Sequence, residues 1–429
     1  MKRILIISPY FPPVNAADMQ RVRMSLPYFS QFDWEAEVVT VDPTFADMPK
    51  DELFVHNLPS DLVVHKVNAF SKKWTSKFGL GSIALRSYWF FRKYVNQLLK
   101  AEHFDLIYFS TTQFPLLVLG NYWKRRFNIP YVVDMQDPWY STYYEDKPKN
   151  ERPAKYWFSH RLNKSLEPKA MASVDGLIAV SQGYIDTLVQ RYPRLKNIPK
   201  KVITFGAFPA DFDLVKRSSD SFELSYPKQT GTINLVYVGR GGHDMKLALS
   251  ILFSAFKKGL TERKQDFERL RFHFIGTSYA PQGEGIPTIA PLAVDFGLDQ
   301  YVNEQTDRIS FYQSIYSLIN ADALLIIGSD DPNYTASKIY PYILAEKPLL
   351  AFFHPQSSAA EIIRQCNAGI VVPLGTAKED TIAFTYASLL NIALGNSAAP
   401  TINWKAFESY TAAKMTKSQC ELFDKIVNK

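Results

Sequence analysis

Long hydrophobic runs are missing from this chain: nowhere do about 18 to 20 apolar residues follow one another, so no transmembrane helix is expected. Cysteine is nearly missing too. Cys366 and Cys420 are the only two, without ligand-like spacing, which excludes a disulfide scaffold and points to a reducing, cytoplasmic setting. The opening MKRILIISPYFPP offers only Ile4 to Ile7 as an apolar core before Ser8-Pro9, too short for a signal peptide, and reads as a buried strand. A folded protein, soluble or peripheral to a membrane, is the expectation. Its 429 residues, 46% of them hydrophobic, favour two or three domains.

A further absence is local. Between Leu62 and Ala101 there is no Asp or Glu, while Lys66, Lys72, Lys73, Lys77, Arg86, Arg92, Lys93 and Lys100 fall there among Trp74, Phe78, Tyr88, Trp89, Phe90, Phe91 and Tyr94. Cations mixed with amphipathic rings suit an anionic membrane surface contacted through 62–101. The alternative is a solvated basic helix whose aromatics are core. Nucleic acid is not expected as a partner, because no binding motif accompanies the charge. Residues 1–220 hold 30 of the 49 Lys and Arg and 22 of the 42 Asp and Glu, leaving 19 against 20 for the rest, so the basic excess lies wholly in the first half.

What is present is an alternation of short apolar runs with helix-like segments, the pattern of a parallel sheet covered on both faces. The first-half runs are 3–8, 36–41, 105–110, 130–135 and 176–181; the second-half runs are 234–239, 271–276, 321–328, 348–353 and 369–374. Two cycles predict an α/β protein of two doubly wound Rossmann-like domains. The expected division is 1–220, a linker at 221–232 containing Pro227 and Gly231, a second domain at 233–400, and a closing helix within 401–429. In such sheets ligands sit beyond the carboxyl ends of the strands, so the chemistry is sought there.

The segment after the first run, SPYFPPVNAADMQRVRM, lacks glycine, which argues against close approach of its backbone to a pyrophosphate. Its prolines delay any helix to about Asn15, with Asp18 to Tyr28 helical, so Asn15, Asp18 and Arg21 are candidates to reach a ligand; a rigid capped loop is the alternative. After the fourth run, DMQDPWYSTYYEDKP places Asp137 beside Trp139, a carboxylate-and-ring pairing suited to sugars. Asp137 is the candidate catalytic base or charge stabiliser, and a turn with a core Trp139 is the alternative.

In the second half, VYVGRGGHDMKLA sets Arg240 and Lys246 among glycines, including Gly239, where two cations can neutralise a diphosphate; a solvated loop would look the same. At SKIYPYILAEKP, Thr335 just before it or Ser337 is a candidate helix cap facing an anion and Lys338 adds charge, while Pro341 withdraws one backbone N–H. Asp330-Asp331, beside Pro332, reads as a turn and not as a metal site.

Taken in order, ILIISPYFPP, YVVDMQDPW, SLEPKAMASVDGLIAVSQGY, LVYVGR and INADALLIIGSDDPNYTASKIYPYILAEKPLLAFF resemble the GT-B glycosyltransferases, in particular glycosyltransferase family 4. The resemblance implies two domains facing each other across a cleft, with a nucleotide-sugar in the second and the acceptor at the first. It implies donor phosphates on Arg240 and Lys246, phosphate and ribose bordered by Ser337, Lys338 and Tyr340, and the base near Ile275, Gly276 and Thr277. Family members often carry two glutamates where this sequence has Asn333 and Pro341. The function implied is retaining hexosyl transfer from a UDP- or GDP-sugar to a lipid-linked or polysaccharide acceptor, with no cofactor and no metal if the two cations carry the charge. A non-catalytic nucleotide-sugar-binding scaffold and a nucleotide-sugar epimerase of the same fold are the alternatives.

Overall fold

The computed structural model describes residues 1–140, 148, 152, 156–331, 339–375 and 377–428, apart from the side chain of Phe78. The chain forms two compact units, 1–206 with 412–429, and 207–411.

In the first unit, strands β1 (Lys2–Ile7), β2 (Trp34–Val41), β3 (Val64–Val67), β4 (Leu106–Ser110), β5 (Tyr131–Met135), β6 (Gly176–Ala179) and β7 (Lys200–Val202) form one sheet in the order β3-β2-β1-β4-β5-β6-β7. Every pairing is parallel, for example Ile4 beside Ala36 on one side and Leu106 on the other. Parallel strands covered on both faces read as continuous apolar runs, and β4, β5 and β6 are buried along their whole length. The edges differ: β3 is Val-His-Lys-Val and β7 is Lys-Lys-Val, strands an apolar-run criterion passes over.

Helical backbone follows β1 from Ala17 to Phe32, in three pieces around an α-helical Gln20–Ser25. Pro27 in its last piece explains why the helix expected over 18–28 tightens there. The last helix, Ala412–Val427, also belongs to the first unit. Phe423 packs edge-on against Trp34 at 5.7 Å between ring centres, and Trp34 Nε1 donates to Asp424 at 3.1 Å. A side chain at Gly176 in β6 would meet Ile426 at 2.4 Å, so the helix lies against that strand only because residue 176 has none.

The second unit holds β8 (Ile233–Val238), β9 (Leu270–Ile275), β10 (Val302–Gln305), β11 (Ala323–Ile327), β12 (Leu349–Phe353) and β13 (Ile370–Pro373), in the order β10-β9-β8-β11-β12-β13, again all parallel. The edge strand β10, Val-Asn-Glu-Gln, is the one the hydrophobic pattern does not mark. In each sheet the chain winds outward one way and then the other. The reversal falls between β1 and β4 in the first unit and between β8 and β11 in the second, and ligands of open α/β sheets bind at such switch points.

Candidate functional site

At the first switch point, the loop after β1 meets the loop after β4 through Asp18. Its buried carboxylate accepts from the Thr111 hydroxyl at 2.8 Å, the Thr112 N–H at 3.1 Å and the Thr112 hydroxyl at 3.2 Å. Burial nevertheless raises its pKa, the hydrogen bonds opposing the shift. Asn15, half-buried, is held by its backbone N–H on the Pro49 carbonyl at 2.7 Å.

Arg21 has no solvent exposure. Its Nε lies 2.6 Å from Asp134 Oδ2, close though not aligned as a hydrogen bond, and its Nη2 donates to the Ile203 carbonyl at 2.7 Å. The structure thus places Arg21 under the loop, where it fixes β5, rather than on the loop surface facing a ligand. Asp134 also accepts from Ser110 at 3.0 Å and Gln136 at 3.1 Å, and Gln136 reaches the Asp18 carbonyl at 3.2 Å.

Asp137, one residue beyond Gln136, is exposed at the end of this network. Partial desolvation, and secondarily the Asp18 carboxylate, raise its pKa. A reachable carboxylate with raised basicity is suited to proton transfer or to stabilising a cationic centre. Trp139, by contrast, is buried, stacked on Phe114 at 5.4 Å with its Nε1 donating to Asn163 at 3.1 Å, so it forms the floor beside Asp137.

At the second switch point, the loop Gly239–Gly242 is pinned on three sides. Gly239 N–H donates to Ile275 at 3.0 Å, Gly241 N–H to Thr277 at 2.7 Å, and the Tyr237 hydroxyl to the Arg240 carbonyl at 2.9 Å. A side chain on Gly241 would meet Thr288 Oγ1 at 2.8 Å, so the close packing of this loop on its neighbour requires glycine. Arg240 lies at the loop surface and makes a two-point contact with Asp244, at 3.0 and 2.5 Å, which lowers the Asp244 pKa. Lys246 opens the helix Lys246–Glu262, exposed and with no carboxylate partner among the described residues.

Gly276 takes the left-handed conformation at φ 73°. The Thr277 hydroxyl is turned inward onto Glu304 at 2.7 Å. Tyr340 is buried, stacked on Tyr410 at 5.8 Å, and so stands behind the surface. Thr335, Ser337 and Lys338 lie outside the described residues. Pro341 sits inside the helix Ile339–Leu344, its carbonyl taken by Ala345 N–H at 3.1 Å. The next residue, Tyr342, ties this helix to the loop: its hydroxyl accepts from Val238 N–H at 2.8 Å and donates to the Val238 carbonyl at 3.0 Å.

Residues 52–204 match the family model of Glycosyltransferase Family 4. Solved structures similar to the chain include HepE of Anabaena in complex with UDP-glucose, at 17% identity, covering 99% of this chain and 100% of that one, with a TM-score of 0.55. A glycosyltransferase of Rickettsia africae is similar at 13% identity, 100% and 99% coverage and a TM-score of 0.54. WaaG, a glycosyltransferase involved in lipopolysaccharide biosynthesis, is similar at 14% identity, 99% and 100% coverage and a TM-score of 0.52. The chain has the GT-B fold. No curated protein matches it in sequence.

Several elements of these GT-B crevices escape a reading of sequence. Thr111, Thr112, Gln136, Asp244 and Glu304 hold candidate residues in place and Tyr342 holds Val238, next to Gly239; only Asp244, four residues after Arg240, carried a local signal of its role.

Proposed function

We propose that this GT-B protein is a retaining glycosyltransferase that moves a hexose from a UDP- or GDP-sugar to a lipid-linked or polysaccharide acceptor. The observation that carries the reading is the second switch point: a glycine loop fastened to the end of β9 and, through Tyr237, to its own strand β8, with Arg240 and Lys246 at its mouth. The UDP-glucose complex of HepE and the family match over 52–204 support the same chemistry.

Departure of a nucleoside diphosphate leaves negative charge on the leaving oxygens and positive charge at the anomeric carbon. Arg240 exchanges Asp244 for the diphosphate, and Lys246 adds a second cation, so no metal is needed for this step. Ser337 and Lys338 complete the phosphate contacts, while Gly276 and Thr277 wall the base and Tyr340 backs the ribose. In the first unit Asp137 stabilises the cationic centre or takes the acceptor proton. Asn15, Asp18 and Trp139 shape the acceptor side, with Arg21 positioning them through Asp134. Work at the cytoplasmic face of a membrane fits a lipid-linked acceptor.

Incubation of the full chain with a panel of nucleotide-sugars tests this. A transferase releases nucleotide from one donor and loses that release on Arg240→Ala. Pro341, where a glutamate is often found in the family, favours a second reading, a binding scaffold, and binding without release would establish it. Conversion of the sugar while still attached to its nucleotide would establish an epimerase.

A further inference from the structure

Strand β3 feeds the helix Ile83–Ala101 through residues 68–82, and in a parallel sheet that connection leaves from the carboxyl edge. It is the edge that carries Asn15, Asp18 and Asp137. The helix sorts its mixed residues into two faces. Phe91, Val95, Leu98 and Leu99 are buried in the core. Arg86, only 3% exposed, is no surface cation: it donates to the carbonyls of Phe70 at 2.7 Å and Phe45 at 3.1 Å and lies 3.3 Å from Asp47. It fastens the connecting segment to the helix.

The other face is unlike ordinary protein surface. Trp89 on the helix is 52% exposed, and in the segment before it Trp74 is 71% exposed and Phe70, half-exposed, packs at 4.9 Å against Phe90, itself beside Trp89. A third indole arrives from a distant part of the sequence. A side chain at Gly79 would lie 3.7 Å from the ring of Phe158, which brings the helix Tyr156–Met171 alongside and adds its Trp157, 66% exposed. Cations stand over the rings: Lys77 is 5.2 Å from the Trp74 centre and Lys93 is 5.2 Å from that of Trp89. Lys73, Lys77 and Lys93 pair with no carboxylate among the described residues, whereas Lys72 pairs with Asp47 at 3.2 Å.

Protein interfaces are depleted in lysine at their centres, while indole rings interspersed with ammonium groups match the headgroup level of an anionic bilayer. No described helix is long and apolar enough to cross a membrane, so contact would be lateral. We propose that Trp74, Trp89 and Trp157, with Lys73, Lys77 and Lys93, form the face by which the protein lies on anionic phospholipid, holding the carboxyl edge of the first sheet at the lipid surface. This deepens the membrane placement proposed above by naming its contact surface.

Co-sedimentation of the full chain tests it, with vesicles of phosphatidylcholine alone and of phosphatidylcholine mixed equally with phosphatidylglycerol. Binding to the mixed vesicles is expected to exceed binding to the neutral ones by at least about tenfold and to fall as salt is added. The triple variant Trp74→Ser, Trp89→Ser, Trp157→Ser should lose about tenfold in binding at any salt concentration. Glutamate at Lys73, Lys77 and Lys93 should remove the salt-sensitive part. Thermal melting, and nucleotide release without vesicles, should be unchanged in both. Absence of binding to the mixed vesicles, or undiminished binding in the variants, overturns the proposal. So does loss of self-association by light scattering in the tryptophan variant without any vesicle binding by the parent chain, which would make the face an interface between copies. Because sedimentation needs no turnover, vesicle binding by a chain that transfers no sugar would leave this surface standing and remove the transferase reading alone.

Discussion

Arg21 Nε and Asp134 Oδ2 lie 2.6 Å apart with neither side chain exposed to solvent. Arg21 lies in the helical segment after β1 and Asp134 in β5, and their pairing fixes how the chain after each strand presents Asp18 and Asp137. Taking one partner away leaves the other charge buried and uncompensated. Arg21→Met is therefore expected to destabilise the protein by about 3 to 5 kcal/mol in urea denaturation, whereas changing both partners to apolar residues should recover much of that loss. A single-variant loss no larger than an exposed ion pair gives, about 1 kcal/mol or less, would contradict the buried pairing.

Arg240 makes a two-point contact with Asp244, and a donor diphosphate bound at Arg240 as proposed would compete with that carboxylate, so the two should act in opposite directions. Arg240→Ala is expected to lower kcat/KM for the donor by at least about a hundredfold. Asp244→Asn removes the ion pair with Arg240 and should lower the donor KM several-fold with kcat little changed. Steady-state kinetics with the donor found by the nucleotide-sugar panel decide this, and a raised KM in Asp244→Asn would show that Asp244 orients Arg240 instead of competing for it.

Glu304 gathers four donors. Its carboxylate accepts from the Thr277 hydroxyl at 2.7 Å and from the N–H groups of Thr288, Ile289 and Ala290 at 3.2, 2.9 and 2.7 Å, at the start of the helix Ala290–Phe296. Glu304→Gln removes the charge and part of the acceptor capacity, and should cost about 1 to 2 kcal/mol in thermal or urea unfolding. The Gly241–Thr277 contact loosens with it, so the donor KM should rise while kcat holds.

His273 sets a pH dependence of stability. Asn234 donates its amide N–H to Asp322 at 2.9 Å, so its carbonyl oxygen faces His273 Nε2 at 3.0 Å and the histidine must carry its proton there. Burial, reinforced by Arg271, pushes the His273 pKa down from 6.5 to about 4. Between those values the unfolded chain binds a proton that the folded one does not. The stability contribution is complete above 6.5 and is lost as pH falls towards 4, amounting to about 3 kcal/mol. His273→Gln, which keeps a donor in place of Nε2, should flatten that part of the stability–pH curve measured by urea denaturation.

The strands that a sequence reveals here are those buried on both faces. Val132 and Val133, or Leu324 and Leu325, have apolar neighbours in sequence because each side of the sheet is covered. His65 and Lys66, Lys200 and Lys201, and Asn303 and Glu304 belong to strands as well, but at sheet edges, where one side of the ladder is open and polar residues are tolerated. The site follows the same division. Glycines and cations after β8 are legible because the turn and the charge are local, whereas Glu304 and Tyr342 act on that loop from residues about 60 and 100 positions away.

The sequence by itself determined two parallel sheets and the loops in which their chemistry resides, since alternation of apolar and polar segments is a local property. The direction each charged side chain takes was decided only by tertiary structure. Arg21 and Arg86 turn inward to Asp134 and to the carbonyls of Phe45 and Phe70, Arg240 is met by Asp244, and Lys77 and Lys93 remain at the surface over tryptophan rings. The reason is energetic: a buried cation persists only where folding brings it an anion or carbonyls, and residues such as Asp134 are brought to it from more than a hundred positions along the chain.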